Sequence, residues 1–441
     1  MYSLGVLSVT LLRREMPKLH GVKKVFDEVH GYIELTEPEL AIVDTPTFQR
    51  LRYIKQLAVA WYVYPGATHT RFSHSLGVMH VMGLIARRLY SMGYIHSEDD
   101  VQLLRLAALL HDVGHTPFSH AIEPYYRDRV GLSHEDLTEM MILESYDIRD
   151  TLIDYGFDPR EIVMILKGKH KEPLYNQLIS SDLDVDRMDY LLRDALHTGV
   201  AYGTIDIHRI IATITVDGEG NLALLEKGLD ALENFYLARL HMYKAVYYHK
   251  TIVGYELLLR RVYERLCEEL TGEILFNSVN EITRAIRNGS IHMWNDAWLI
   301  GVMMRALERN DVSSYTKELI SAFLTRRGYK VLIDRSHFSF SQESTIKDAD
   351  VEELKRLAEE LKVKANVDEV FVFVDDIKIV DTDPRSMPHI VVEGQGSRAL
   401  SVISNSIINA LPRRYHVKRL YVLSLWYERA KKYISKKGVS R

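Results

Sequence analysis

Between Glu37 and Leu270 nearly every segment carries apolar residues at helical spacing, and such a chain must bury one stripe of each helix against its neighbours. Leu103, Leu106, Ala107 and Leu110 form one stripe, and Leu229, Leu232, Phe235, Tyr236 and Leu240 another. A helical body follows. Ile214 to Glu226 interrupts it, because ITVDGEGNLALLE reads as two short strands about a DGEGN turn. Helical spacing resumes at Trp294 to Leu307 and Thr316 to Leu324, after which KVLIDRSHFSF changes to a β-branched style. Beyond it the pattern predicts a helix over Val351 to Leu361, strands over Val367 to Val374 and His389 to Glu393, a helix over Ala399 to Leu411, and a last strand in YHVKRLYVLS. At 441 residues the chain exceeds what one core usually serves. The expected fold is mainly α: a leader (1–21), an all-helical body with a small hairpin (22–325), and a C-terminal α+β appendage (326–441).

Composition narrows the function. Apolar residues make up 47% and charged residues 26%, as in a folded globular protein. With 56 basic and 60 acidic residues the net charge is −4, so no global positive field draws in nucleic acid or membrane, and any anion site must be local. The single cysteine, Cys267, excludes an intramolecular disulfide and a multi-cysteine zinc site and suits a reducing, cytoplasmic setting. The apolar stretch Leu4 to Leu12 is too short for a membrane span and is expected to be a flexible or strand-like leader. The appendage shows no glycine-rich phosphate loop and no obvious metal cluster, which points to packing, oligomer contact or regulation.

The chemistry concentrates in three segments of the body. LAALLHDVGHTPFSH puts His111 and Asp112 at the end of an apolar helix, THTRFSHSLGVMHV starts a second helix near His74, and SSDLDVDRMDYLLRD sets Asp186 among Asp182, Asp184 and Asp189. Imidazole nitrogen with carboxylate oxygen suits Fe, Mn, Zn or Co. Taken singly each segment is ordinary, since His beside Asp is a common helix end and clustered Asp residues favour helix starts.

Together they match a family. The order H…HD…D, with HGYIEL, DTPTFQRLRYIKQL and YPGATHTRFSHSLGV, resembles the HD-domain deoxynucleoside triphosphate (dNTP) triphosphohydrolases over roughly Val22 to Lys250. The animal members join a SAM domain to the HD domain; no SAM domain is expected here, because fewer than twenty-five residues precede the first match. The resemblance implies that His74, His111, Asp112 and Asp186 hold one divalent ion (Fe, Mn, Zn, Co or Ni), with Mg accompanying the nucleotide phosphates. Attack on the α-phosphate would yield a deoxynucleoside and inorganic tripolyphosphate. His134 is then the general acid, with a carboxylate expected beside it, and His115 a phosphate-contacting catalytic histidine; His120 is read as orienting the ligands. Arg71, Arg239 and Lys250 are the phosphate-binding candidates. Gln56, Leu57, Tyr190 and Asp194 occupy the sugar-selecting positions, with Tyr247 near the sugar. Tyr248 stands where the animal enzyme has a glutamine near the base.

The resemblance also implies nucleotide binding at subunit junctions. Asp44, Gln49 and Arg52 match a guanine reader, Lys24 and Val25 neighbouring contacts, and Arg326 with Lys330 a pair from the adjoining lobe, so a GTP or dNTP activator and a homotetramer are expected. Asp27 replaces an asparagine there, which adds charge beside a triphosphate. Two alternatives stay open: an HD-type phosphodiesterase or nuclease, which needs an open groove, and a non-catalytic nucleotide sensor, which would be expected to lose a ligand or the acid. Nucleic-acid and membrane partners are not expected.

Overall fold

The computed structural model describes residues 19–341, 348–380, 387–392, 396–399 and 406–438. The expected leader, apart from its last three residues, lies outside them. The described chain opens on an unexpected antiparallel hairpin, β1 (Lys23–Asp27) and β2 (Gly31–Leu35), in which Phe26 pairs with Tyr32. A short helix α1 (Glu37–Val43) follows. Its buried Glu39 accepts from Arg105 Nε at 2.6 Å and from Gln102 Nε2 at 2.7 Å, which ties it to the next layer.

Two antiparallel helices form the centre of the body, α2 (Arg71–Ser91) and α3 (Glu98–Leu110). The start of α3 follows from Ser97, whose hydroxyl accepts from the Asp100 amide at 3.0 Å, ahead of three acidic residues that complement the helix N-terminus. Around this pair pack α4 (His134–Glu144) and α5 (Val185–Thr198), then α6 (Leu229–Met242), α7 (Lys250–Glu269), α8 (Asp296–Glu308) and α9 (Ser314–Leu324). The stripes expected from spacing are buried as a single core.

The expected hairpin is present as β3 (Ile214–Val216) and β4 (Leu222–Leu225), with Asp217 Oδ1 accepting from the amides of Glu219 and Asn221 to close the turn. After α9 the chain builds β5 (Tyr329–Asp334), β6 (His337–Ser339), α10 (Ala349–Ala365), β7 (Val370–Lys378), β8 (His389–Val392), β9 (Gly396–Ala399), β10 (Arg414–Leu423) and α11 (Tyr427–Lys436). Two of these strands leave the appendage: β8 pairs parallel with β4 and β9 pairs with β8, so the body's hairpin grows to four strands. The helix expected over Ala399 to Leu411 does not form as read. Ala399 ends β9, Ile407–Ala410 make a 3-10 turn, and 400–405 lie outside the described residues.

The other sheet explains why β10 is buried along nearly its whole length, although it carries Arg414, His416, Lys418 and Arg419. β5, β6 and β7 all pair with it, and its two faces serve different cores. Tyr415, Val417, Tyr421 and Leu423 join the helical body, while Leu420 and Val422 pack with Leu354 and Leu361 of α10 and Ile434 of α11. Among the described residues no helix is long and apolar enough to cross a membrane.

Arg50 pins the segment that follows α3. Fully buried, it donates to the carbonyls of His115 at 2.9 Å, Trp294 at 2.8 Å and Val113 at 2.5 Å. Arg50→Ala leaves three buried carbonyls unsatisfied at about 1–3 kcal/mol each, so equilibrium urea unfolding should lose at least about 3 kcal/mol. A loss below about 1 kcal/mol would mean that water replaces the guanidinium.

Candidate metal centre

The end of α3, the first turns of α2 and α5, and the start of α4 bring the expected residues together. His74 Nε2 lies 3.0 Å from Asp186 Oδ1 and 3.6 Å from Asp112 Oδ2. His111 Nε2 lies 3.3 Å from His74 Nε2, 3.4 Å from Asp112 Oδ1 and 3.7 Å from Asp186 Oδ1. Two imidazole nitrogens and two carboxylate oxygens therefore converge on one point. Ligand atoms of His74, His111 and Asp112 fall within 4.8 Å of one another, a spacing that could hold a metal ion.

Both imidazoles are aimed by their other nitrogen. His111 Nδ1 is 2.8 Å from the Ala108 carbonyl, and His74 Nδ1 is 2.8 Å from Asp189 Oδ2. Each Nδ1–H donates, so each Nε2 is turned to the centre, where a bound cation would take the place of its proton. Burial opposes an imidazolium at His74, yet hydrogen bonds to Asp186 and Asp189 outweigh it and push its pKa up to about 10. Asp186 is likewise penalised by burial but held well below the usual carboxylate range by His111 and His74. The site attracts positive charge, and its mixed nitrogen and oxygen donors fit a divalent first-row metal.

The four clustered aspartates take four different jobs. Asp184 caps α5, accepting from the Arg187 amide at 2.8 Å; Asp186 faces the centre; Asp189 orients His74; Asp182 accepts from Arg239 Nη1 at 2.5 Å and Tyr236 Oη at 2.9 Å. Asp189 was not assigned a role from sequence. It is fully buried and also takes His30 Nε2 at 2.6 Å and both Nε and Nη2 of Arg193 at 2.9 Å. Arg193 in turn donates to Asp27 Oδ2 at 2.8 Å, so the charge expected to face a triphosphate is neutralised inside the chain.

A second cluster adjoins the first. His115 Nε2 is 3.2 Å from Asp112 Oδ1, and its ring stacks on His134 at 4.3 Å and 14°. His134 Nδ1 is 2.6 Å from Glu123 Oε1, and His120 Nδ1 is 3.0 Å from Glu123 Oε2. Glu123 is the carboxylate that the sequence reading required without naming. Burial penalises its charge, but hydrogen bonds from His120 and His134 hold it far below the usual range. No local pattern singles it out, because it is eleven residues from His134 and reaches it only through the fold.

Two cavities border α5. One of about 250 Å³ is lined by His111, Asp112, His134, Asp186, Arg187 and Lys167, among others. The last two are cations that the sequence reading missed; Arg187 was visible as the neighbour of Asp186. The other, of about 330 Å³, is lined by Gln56, Leu57, His120, Tyr190, Asp194 and Tyr247 with further residues. Asp194 there accepts from Tyr247 Oη at 2.9 Å and lies 2.7 Å from His69 Nε2.

Other expected residues lie elsewhere. Arg71 is paired with Asp112 and donates from Nε to Ser119 Oγ at 2.7 Å, beside the centre. Buried Arg239 is committed to Asp182 and to the Lys378 carbonyl at 3.2 Å. Lys250 shares a third cavity of about 560 Å³ with Arg326 and Lys330 rather than lining the cavity of Gln56, Tyr190 and Asp194. Lys24 pairs with Glu34 at 2.9 Å on β1–β2, next to Val25. Asp44 is exposed at the end of α1, and Arg52 donates to Gln49 Oε1 at 2.7 Å. Among the described residues no hydrogen bond or ion pair links these five to Arg326 or Lys330.

With fold and site in view, comparison with known proteins gives the class. The HD domain model matches residues 71–194, and the HD associated region matches 205–426. The chain belongs to the HD-domain phosphohydrolase family that carries this associated region. It is 42% identical over 243 residues to an uncharacterized protein of Methanocaldococcus jannaschii, covering 54% of this chain and 49% of that one. It is 33% identical over 267 residues to the human deoxynucleoside triphosphate triphosphohydrolase, covering 52% and 42%. A solved phosphohydrolase of Bacteroides thetaiotaomicron superposes with a TM-score of 0.73 at 26% identity, covering 91% and 99%. The chain spans about half the length of the curated relatives it matches.

Asp189→Asn keeps the shape but weakens the hold on His74. Competition with a chelator should show metal affinity about 10–100-fold lower. Unchanged affinity would remove Asp189 from the orienting role.

Proposed function

We propose that this chain hydrolyses dNTPs to deoxynucleosides and inorganic tripolyphosphate. The observation that carries this reading is the His74, His111, Asp112 and Asp186 quartet beside a nucleoside-sized cavity, with one helix, α5, bordering both. A divalent cation bound by the quartet supplies Lewis acidity toward the phosphoryl group and an acidified water. The remaining work falls to the chain's own groups. Arg187, paired with Asp184, and Lys167, paired with Glu139, line the cavity where the phosphates would lie and would have to turn to them, and Arg71 and His115 stand beside Asp112. Water attacks the α-phosphorus, the bond to the 5′ oxygen breaks, and that oxygen must gain a proton. His134, held by Glu123, is the donor in this reading. Asp194 with Tyr247 would hold the 3′-hydroxyl, while Leu57 and Tyr190 would crowd C2′ and exclude a 2′-hydroxyl. The human relative named as a dNTP triphosphohydrolase adds support.

Incubation of metal-loaded protein with each dNTP and rNTP tests this, and the expected phosphate product is tripolyphosphate from dNTPs alone. Single phosphate or pyrophosphate in its place would sink it. Asp186→Ala should lose both metal and turnover, whereas His134→Ala should keep metal while kcat falls about 10²–10⁴-fold. Equal metal loss in both variants would contradict the separate roles.

The same reading puts a nucleotide activator between subunits. Lys24, Val25, Asp44, Gln49 and Arg52 from one chain would face Arg326 and Lys330 from another, Lys250 sharing the cavity of the latter pair. Sedimentation velocity should then show tetramers on adding GTP with a dNTP, and Arg326→Ala with Lys330→Ala should prevent them. Tetramers that form equally in the double variant would rule this arrangement out.

A further inference from the structure

The cavity that holds Tyr190 and Asp194 has another wall, formed by α7 and β7. Ile252, Val253, Glu256 and Arg260 line it from one face of α7, and Phe373 and Asp375 from β7, with Tyr248 between. Glu256 and Arg260 stand four residues apart with the acid first, the spacing at which such side chains ordinarily pair along a helix. Here they attract each other only at longer range: among the described residues Glu256 has no hydrogen bond or close ion pair, and Arg260, which also feels Glu264 and Asp128, buries its Nε without a hydrogen-bond partner. Asp375 differs, because it accepts from Tyr248 Oη at 2.6 Å and from the Asp376 amide at 2.8 Å, so it is already engaged in holding the tyrosine. The rings of Tyr248 and Phe373, with centroids 6.5 Å apart, offer aromatic surface beside this acid and guanidinium.

Unpaired buried polar groups are costly, and a ligand that satisfies them is favoured over one that does not. The occupant of this wall must offer hydrogen-bond donors to a carboxylate and acceptors to a guanidinium, on a flat body that packs against aromatic rings. Guanine meets all three demands. Its N1–H and N2–H₂ are adjacent donors, and its O6 and N7 are acceptors. Adenine sets a bare N1 beside its amino group, so one carboxylate oxygen would face a lone pair. Thymine puts carbonyls on both sides of a single N–H. Cytosine offers one amino group against two acceptors. Burial pushes the Glu256 carboxyl up to about 7, and two donated hydrogen bonds favour its charged form.

We infer that this wall selects the base of the nucleotide: Glu256 accepts from N1–H and N2–H₂ of guanine, Arg260 donates to O6 or N7, and the base lies against Tyr248 and Phe373. The inference rests on the cavity being the deoxynucleotide pocket proposed above. Glu256 and Arg260 act in specificity, away from the bond that breaks.

Titration of the metal-loaded protein with deoxyguanosine, deoxyadenosine, deoxycytidine and thymidine tests the wall without hydrolysis. Deoxyguanosine should bind about 10–100-fold more tightly than deoxyadenosine, and Glu256→Gln or Arg260→Gln should bring that ratio toward unity. A ratio taken on one preparation cancels any unfolded fraction. Equal binding of the four nucleosides, or a guanine preference that survives both substitutions, overturns the inference. Measuring kcat/KM for the four dNTPs separates it from the hydrolase reading. Guanine-selective binding without tripolyphosphate from any dNTP overturns only the hydrolase reading. Tripolyphosphate at equal efficiency from all four overturns only the base-reading wall.

Discussion

Asp189 has no exposed surface, yet it carries a carboxylate that meets side chains from three elements. A buried charge is tolerated only when it is paired and hydrogen-bonded, and here His74 from α2, His30 from beyond β1, and Arg193 from its own helix supply that pairing. The demand spreads outward. Arg193 carries more donors than Asp189 can use and takes Asp27, which draws the β1–β2 hairpin onto the seam between α2 and α5. Gly77 lets that seam close, since a Cβ there would collide with Asp189 Oδ1 and Arg193 Nη2. The direction in which His74 Nε2 points is thus set by a chain of charges that ends at the N-terminal hairpin.

Along α5 the helical repeat sorts chemistry by face. Asp189 and Arg193, four apart, turn toward α2 and serve as structural charge. Asp186, Tyr190 and Asp194, also four apart, border the two cavities. One helix therefore sets the offset between the cluster of His74, His111, Asp112 and Asp186 and the cavity lined by Tyr190 and Asp194. In the second histidine cluster His115 stacks on His134 and meets Asp112, while Glu123 anchors both His134 and His120, so two carboxylates and contacts among the rings position three imidazoles.

Much of the helical body was legible because its determinants are local. The stripe through Leu103 and Leu110 lies within one helix, Ser97 caps that helix from the adjacent position, and the DGEGN turn closes on its own Asp217. The motif residues His74, His111, Asp112 and Asp186 were legible as a set only through family resemblance. Where the reading stopped, the cause was a distant partner. β8 is a strand because β4 offers it an edge, and nothing in HIVV announces a parallel mate in the body. The spacing from Ala399 onward suggested a helix, yet Ala399 is taken as a strand residue by pairing with His389.

Glu123 and Asp189 make the same point for the site. Both look like ordinary acidic residues at helix positions, and their roles come from partners 11 and 115 residues away. The sequence by itself determined the helical periods, the caps, the charge balance and the supply of imidazole and carboxylate ligands, because each depends on neighbours within a turn or two. Tertiary structure alone decided which nitrogen of His74 faces the centre, which of four aspartates faces that centre, caps α5 or braces His74, and that Glu256 and Arg260 line a cavity without a hydrogen bond between them. Those outcomes rest on burial and on hydrogen bonds between segments far apart in the chain, and they exist only once the helices have packed.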